Sequence, residues 1–169
     1  MKKELLQAFQ KVLFTPKKII IIPHKNPDGD ALGSSLALNT FLNKTGHDSC
    51  VIAPNEYPEF LDWMPGQEQI IIFSQATDES IQMIENADII FTLDFNQLHR
   101  IDQMGPFVEN SDAQKIMIDH HEHPGNYASI NYSDATKGST CEMVFEFISG
   151  LDHDKIDASI ATCLYTGIM

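Results

Sequence analysis

The chain has 169 residues, 43% of them hydrophobic and 21% charged, the size and composition of one globular domain. Its net charge of −13, with only 11 Lys and Arg, works against wrapping duplex DNA, because nucleic-acid affinity comes from basic side chains displacing counterions. No apolar run reaches the about 18 residues of a membrane span, and MKKELLQAFQKVLF lacks the continuous apolar stretch of a signal peptide.

Residues 4–14 read as an amphipathic helix with Leu5, Leu6, Phe9, Val12 and Leu13 on one face, ended by Pro16. KKIIIIP (17–23) is a continuous β-branched run, which suits a strand covered on both faces. A loop with His24, Asn26, Pro27 and Gly29 leads into a helix over 30–45, with Gly46 as its C′ residue. A second strand is expected at 47–53, a long loop with one helical turn at 54–66 and a weaker strand at 69–73. Asp78 is a candidate cap for a helix over 78–86. ADIIFTLD (87–94) reads as a strong strand, 96–104 as a helix ending near Gly105 and Pro106, 114–119 as a strand and 127–132 as an edge strand. Gly138, Ser139 and Thr140 look like a cap for a helix over 140–149 with Gly150 at its end, and a last helix starts near Asp154. Strands alternating with helices predict an α/β fold with a mainly parallel sheet and helices on both faces, in a single domain over 1–169. The three cysteines, Cys50, Cys141 and Cys163, are odd in number and widely spaced, so reduced thiols and a cytoplasmic location are expected.

Three polar clusters follow three of these strands: His24 to Asp30 after IIII, Asp94 after IIFTL, and Asp119-His120-His121 after KIMI. In open α/β sheets ligands bind outside the carboxyl ends of the strands, so the three clusters aim at one place. Imidazoles and carboxylates without thiolate suit a divalent ion such as Mn2+, Fe2+ or Zn2+, and five donors exceed what one open catalytic ion needs. Pro27 and Gly29 shape a tight turn that lets Asp28 and Asp30 face the site together. Each residue also has a plain structural role open to it: Asp30 as a helix N-cap, Asp94 as a turn residue, His24 as a satisfied strand-end histidine. The Gly-Ser-Thr turn is equally a helix cap and an anion site. His47, His99, His123 and His153 read as surface or structural, and Trp63 with Phe60 and Met64 as core or interface. Neither G-x-G-x-x-G nor G-x-x-x-x-G-K-[ST] occurs.

HKNPDGDALGS (24–34), the aspartate of TLDFN (92–96) and IDHHEHP (118–124) resemble the first three motifs of the DHH phosphoesterases, and GSTCEMVFEF (138–147) resembles the segment that follows. The resemblance covers about residues 17–169 and is nearest the oligoribonuclease and 3′-phosphoadenosine 5′-phosphate phosphatase branch. It implies two Mn2+ ions, the first held by His24 and Asp28, the second by Asp30 and His120, with Asp94 bridging. His121 would orient or protonate the substrate phosphate, and Asp119 would support the histidines from behind. Asn26, Ser139 and Thr140 are the candidates for touching substrate. The partner implied is a small nucleotide or short oligonucleotide, not duplex DNA or a membrane; a homodimer is compatible with the sequence.

The family carries a fourth motif, an aspartate just after a sequence like LYTGI, and a C-terminal substrate-binding domain. Here LYTGIM (164–169) is the last segment, so the resemblance implies an N-terminal fragment that keeps the first metal site, weakens the second and has little activity alone. Two alternatives stand beside hydrolysis of nucleotide phosphate esters by a two-metal activated water: a pyrophosphatase or exopolyphosphatase of the same superfamily, and a non-catalytic nucleotide-binding module.

Overall fold

The computed structural model describes all 169 residues as one six-stranded sheet, every strand pair parallel, flanked by six α-helices. In chain order these are α1 (Lys3–Val12), β1 (Lys18–Pro23), α2 (Gly29–Lys44), β2 (Asp48–Ala53), β3 (Ile71–Ile72), α3 (Thr77–Glu85), β4 (Ile89–Leu93), α4 (Gly105–Asn110), β5 (Gln114–Asp119), β6 (Ile130–Ser133), α5 (Thr140–Asp152) and α6 (Ala158–Ile168). The strand order is β3-β2-β1-β4-β5-β6, a doubly wound arrangement whose direction of winding reverses between β1 and β4.

The isoleucine run explains why β1 is central. Ile19 and Ile21 enter one core with α1, α2, α5 and α6, while Ile20 and Ile22 enter a second core with α3 and α4. Alternate side chains leave opposite faces of a strand, so only a strand apolar at every position can serve both cores. Phe147 of α5 anchors the larger core, its ring edge-on to Phe9, Phe41 and Phe91 at centroid distances of 4.7, 6.3 and 6.0 Å.

The expected α/β class with helices on both faces is what the chain adopts, but several boundaries move. Asp28, not Asp30, caps α2: its carboxylate accepts the amides of Asp30 and Ala31. Asp78 lies in the first turn of α3, where Ala76 is the N-cap and has no side-chain bond to the helix. Gly105 and Pro106 begin α4 instead of ending a helix, because a proline at a helix start loses no intrahelical bond. The segment before them is a 3-10 stretch broken at Asp102, whose φ is +49°. Gly150 lies inside α5, and α6 starts after an Asp157 cap that accepts the Ile160 amide, beyond the expected Asp154. The weak strand shrinks to two residues, Ile71 and Ile72. Met64 is buried as expected, whereas Phe60 and Trp63 are exposed.

Two close approaches seat α6 on α2. A Cβ on Gly33 would overlap the Cys163 carbonyl oxygen, and one on Gly167 would stand 2.8 Å from the Asp30 Cα. The LYTGI segment therefore touches the backbone that carries a candidate metal ligand. Gly33→Ala is expected to lower unfolding stability by about 1–3 kcal/mol through overpacking, measured by denaturant melts. Gly138→Ala, at an open position, should stay within about 0.5 kcal/mol of wild type. Equal midpoints for all three proteins would contradict the tight seating of α6.

Candidate metal centre

The site forms where three strands end side by side. His24 follows β1, Asp94 follows β4, and Asp119 closes β5 ahead of His120 and His121. Since β1, β4 and β5 are adjacent and parallel, the three ends open on the same edge of the sheet. Asp94 adopts a left-handed backbone, φ +66°, which an aspartate tolerates better than most residues and which turns the chain immediately at the strand end.

Asp94 is the centre of the cluster. Only 2% of it is exposed, and its two oxygens face different histidines: Oδ2 lies 3.5 Å from His24 Nε2, Oδ1 3.4 Å from His120 Nε2. Asp28 Oδ1 lies 3.8 Å from His24 Nε2, and Asp30 Oδ2 lies 3.6 Å from His120 Nε2. These separations are long for hydrogen bonds and suit donors that share an ion, since atoms about 2.1 Å from one tetrahedral ion stand about 3.4 Å apart. Two sets of donors are close enough to hold a cation, His24 with Asp28 and Asp94, and Asp94 with His120 and His121; Asp94 belongs to both.

The carboxylates also set the state of the imidazoles. His24 Nδ1 lies 2.8 Å from the Lys25 carbonyl and donates to it, which leaves the Nε2 lone pair facing Asp94 and Asp28. Burial alone would lower the His24 pKa, but Asp94, the Lys25 carbonyl and Asp28 together outweigh it and raise it. Asp94, with smaller help from Asp30 and the Lys137 carbonyl, pushes His120 up to about 9. Burial acts to raise Asp94; the nearby His120 and His24 imidazoles and the hydrogen bond from Thr140 overcome it and hold the carboxyl well below the usual range. Burial and the neighbouring Asp94 push Asp30 up to about 6 despite two backbone amides that favour its charge. Such a concentration of carboxylate calls for positive charge at this spot.

Asp119 is fully buried, and its Oδ1 accepts from His121 Nδ1 at 2.7 Å, a contact that orients the imidazole. His121 keeps 42% of its side chain exposed. His121 also stands in the second donor set, where the resemblance implied Asp30 beside His120. The three residues expected at substrate each make contacts within the chain. Asn26 exchanges amide bonds with Asn55: its backbone N–H donates to Asn55 Oδ1, and its own Oδ1 accepts from Asn55 Nδ2, each at 2.8 Å. Ser139 caps α5 by accepting the Glu142 amide. Thr140 is fully buried, with its hydroxyl on Asp94 Oδ1 at 2.8 Å. The turn is thus a helix cap facing the protein's own carboxylates.

Sequence reasoning missed the side chains that tie the loops together. Asn96 donates to the Glu122 carbonyl at 2.7 Å, and Gln97 to that of His123 at 3.2 Å, so the loop after β4 holds the loop that carries His120 and His121. Asn55 follows the end of β2, and the strand-end rule that located His24 and Asp94 would have located it too. Asp102, ion-paired with Lys25, left no comparable signal.

Residues 18–168 match the profile described as the DHH family, N-terminal domain. The chain is similar to the bifunctional oligoribonuclease and PAP phosphatase NrnA of Thermus thermophilus, 30% identical over 89% of this chain and 42% of that protein. Its counterpart in Bacillus subtilis is also 30% identical, over 89% of this chain and 45% of the relative. A probable manganese-dependent inorganic pyrophosphatase of Staphylococcus epidermidis is 27% identical over 53% of this chain and 34% of its own length. Among solved structures, an exopolyphosphatase-related protein from Bacteroides fragilis superposes with a TM-score of 0.97 at 40% identity, over 99% of this chain and 50% of that one. RecJ of Thermus thermophilus in complex with Mn2+ shares the fold, with a TM-score of 0.50 at 18% identity over 88% of this chain and 20% of its own. The chain spans about half the length of the NrnA relatives it matches.

If both donor sets hold ions through Asp94, Mn2+ at 100 times its Kd should stabilise the protein by about 2.7 kcal/mol per site, seen as a rise in melting temperature that EDTA reverses. Asp94→Asn is expected to abolish that rise. A rise in the variant equal to wild type would remove Asp94 from the metal centre.

Proposed function

The chain belongs to the DHH family, and on that premise we propose that it is the metal-bearing part of a phosphoesterase acting on short oligonucleotides or 3′-phosphoadenosine 5′-phosphate. The observation that carries this reading is the shared carboxylate: Asp94 stands between two donor sets at the carboxyl ends of β1, β4 and β5. The names of the Thermus thermophilus and Bacillus subtilis relatives support the substrate class, and the manganese in the names of the pyrophosphatase relative and the RecJ structure supports Mn2+.

In this reading His24, Asp28 and Asp94 would hold one ion, and His120 with Asp94 and Asp30 would hold the other, His121 being left for the substrate. Bound divalent ions supply the charge that lowers the pKa of a coordinated water and offsets the negative phosphate. The protein's own groups do the rest. The Lys25 carbonyl fixes the His24 tautomer, and Asp119 fixes that of His121. With its Nδ1 proton on Asp119, His121 presents Nε2 to the phosphate, where it can hold a proton for the leaving oxygen. The acidic surface repels long polyanions and leaves small esters as the fitting substrates. We further propose that efficient turnover draws on a second half of the kind the longer relatives possess. A second reading, hydrolysis of pyrophosphate or polyphosphate, is favoured by the names of the Staphylococcus epidermidis relative and the Bacteroides fragilis structure.

Turnover of a dinucleotide, 3′-phosphoadenosine 5′-phosphate and pyrophosphate, each with and without Mn2+, tests this. The expected result is slow Mn2+-dependent cleavage of the first two. Asp28→Asn should reduce it by more than the about 10- to 100-fold that losing an outer metal-site partner costs. Cleavage of pyrophosphate alone would select the second reading, and an Asp28→Asn variant as active as wild type would overturn the site assignment.

A further inference from the structure

The sequence offers Thr140 as a substrate contact, but the geometry gives it another task. Thr140 is the first residue of α5, and its hydroxyl donates to Asp94 Oδ1 at 2.8 Å. Its backbone N–H donates to Asp30 Oδ2 at 2.7 Å, and the next amide, that of Cys141, donates to Asp30 Oδ1 at 2.7 Å. One helix terminus therefore grips two of the carboxylates of the metal centre. The amides belong to the backbone and point at Asp30 whatever the side chains are; the hydroxyl is specific to this position.

The torsion that turns an aspartate carboxylate about its Cβ–Cγ bond is broad, so sterics alone do not fix the plane in which its two equivalent oxygens lie. At Asp94 that plane matters, because one oxygen faces His120 and the other faces His24. We propose that Thr140 is a positioning residue for the metal centre, its hydroxyl holding the Asp94 carboxylate in the plane that presents one oxygen to each donor set. It touches neither substrate nor ion and acts through Asp94. This rests on the metal-centre reading above.

The test is Mn2+ affinity by calorimetry, with the melting temperature of the metal-free protein alongside, for wild type, Thr140→Val, Thr140→Ser and Asp94→Asn. Thr140→Val should bind Mn2+ about 10- to 100-fold more weakly, the range for losing an outer partner of a metal ligand. Thr140→Ser keeps the hydroxyl and should recover wild-type affinity, which a merely structural role for the threonine would not produce. Should Thr140→Val not fold, Thr140→Ala replaces it in the comparison. Wild-type affinity in Thr140→Val, or a Thr140→Ser protein as weak as Thr140→Val, overturns the proposal. Equal Mn2+ binding by wild type and Asp94→Asn would instead overturn the metal-centre reading, so the two failures are distinguishable.

Discussion

A carboxylate that is 98% removed from solvent needs compensation on every side, and Asp94 imposes that requirement on the whole carboxyl edge of the sheet. Its left-handed backbone turns the chain at the end of β4, and its side chain meets His24 from β1, His120 from β5 and Thr140 from α5. Leaving a buried charge without its partner costs about 3–5 kcal/mol, comparable with the whole stability of a small domain. The elements that supply those donors are therefore held in mutual register by the same group that belongs to both donor sets.

Parallel winding makes this convergence available. With the order β3-β2-β1-β4-β5-β6, the loops after β1 and β4 diverge to opposite sides at the reversal point and leave a crevice above it. The connection from β5 to β6, residues 120–129, has no helix, an unusual economy for parallel neighbours. It is stiffened by Asn96 and Gln97 reaching across to its carbonyls, and by the Gly125 amide donating to the Asn96 carbonyl at 2.7 Å. The histidines thus sit on a loop tied to its neighbour. The loops after β1 and β2 are joined in the same way by the paired amides of Asn26 and Asn55.

The helical layer on the α2 side supports the site from below. The side-chain-free faces of Gly33 and Gly167 let α6 lie against α2, so the backbone around Asp30 is backed by packed protein and not by solvent. The N-terminus of α5 then closes on Asp30 from its other end with two amides. A rigid support of this kind is what ligand geometry demands, since a metal centre loses affinity when its donors must be ordered on binding.

Much of this was legible in the residue order. Continuous apolar runs such as IIIIP and IIFTL declare strands buried on both faces, and polar residues immediately after them declare a strand-end site, because periodicity and turn chemistry are local. Caps were less legible: Asp28 and Asp30 are both good N-cap residues two positions apart, and only the backbone entering α2 selects the first. A choice between aspartates likewise misplaced the start of α6, and Gly150 misplaced the C-terminal end of α5. What the sequence by itself determined was the alternation of elements, and with it the set of histidines and aspartates at the strand ends. Tertiary structure alone decided that Thr140 would face Asp94, and that Asn55, Asn96 and Asp102 would brace the loops. Those contacts join residues from 26 to 77 positions apart, and their partners are chosen by strand order and helix packing, which no local pattern encodes.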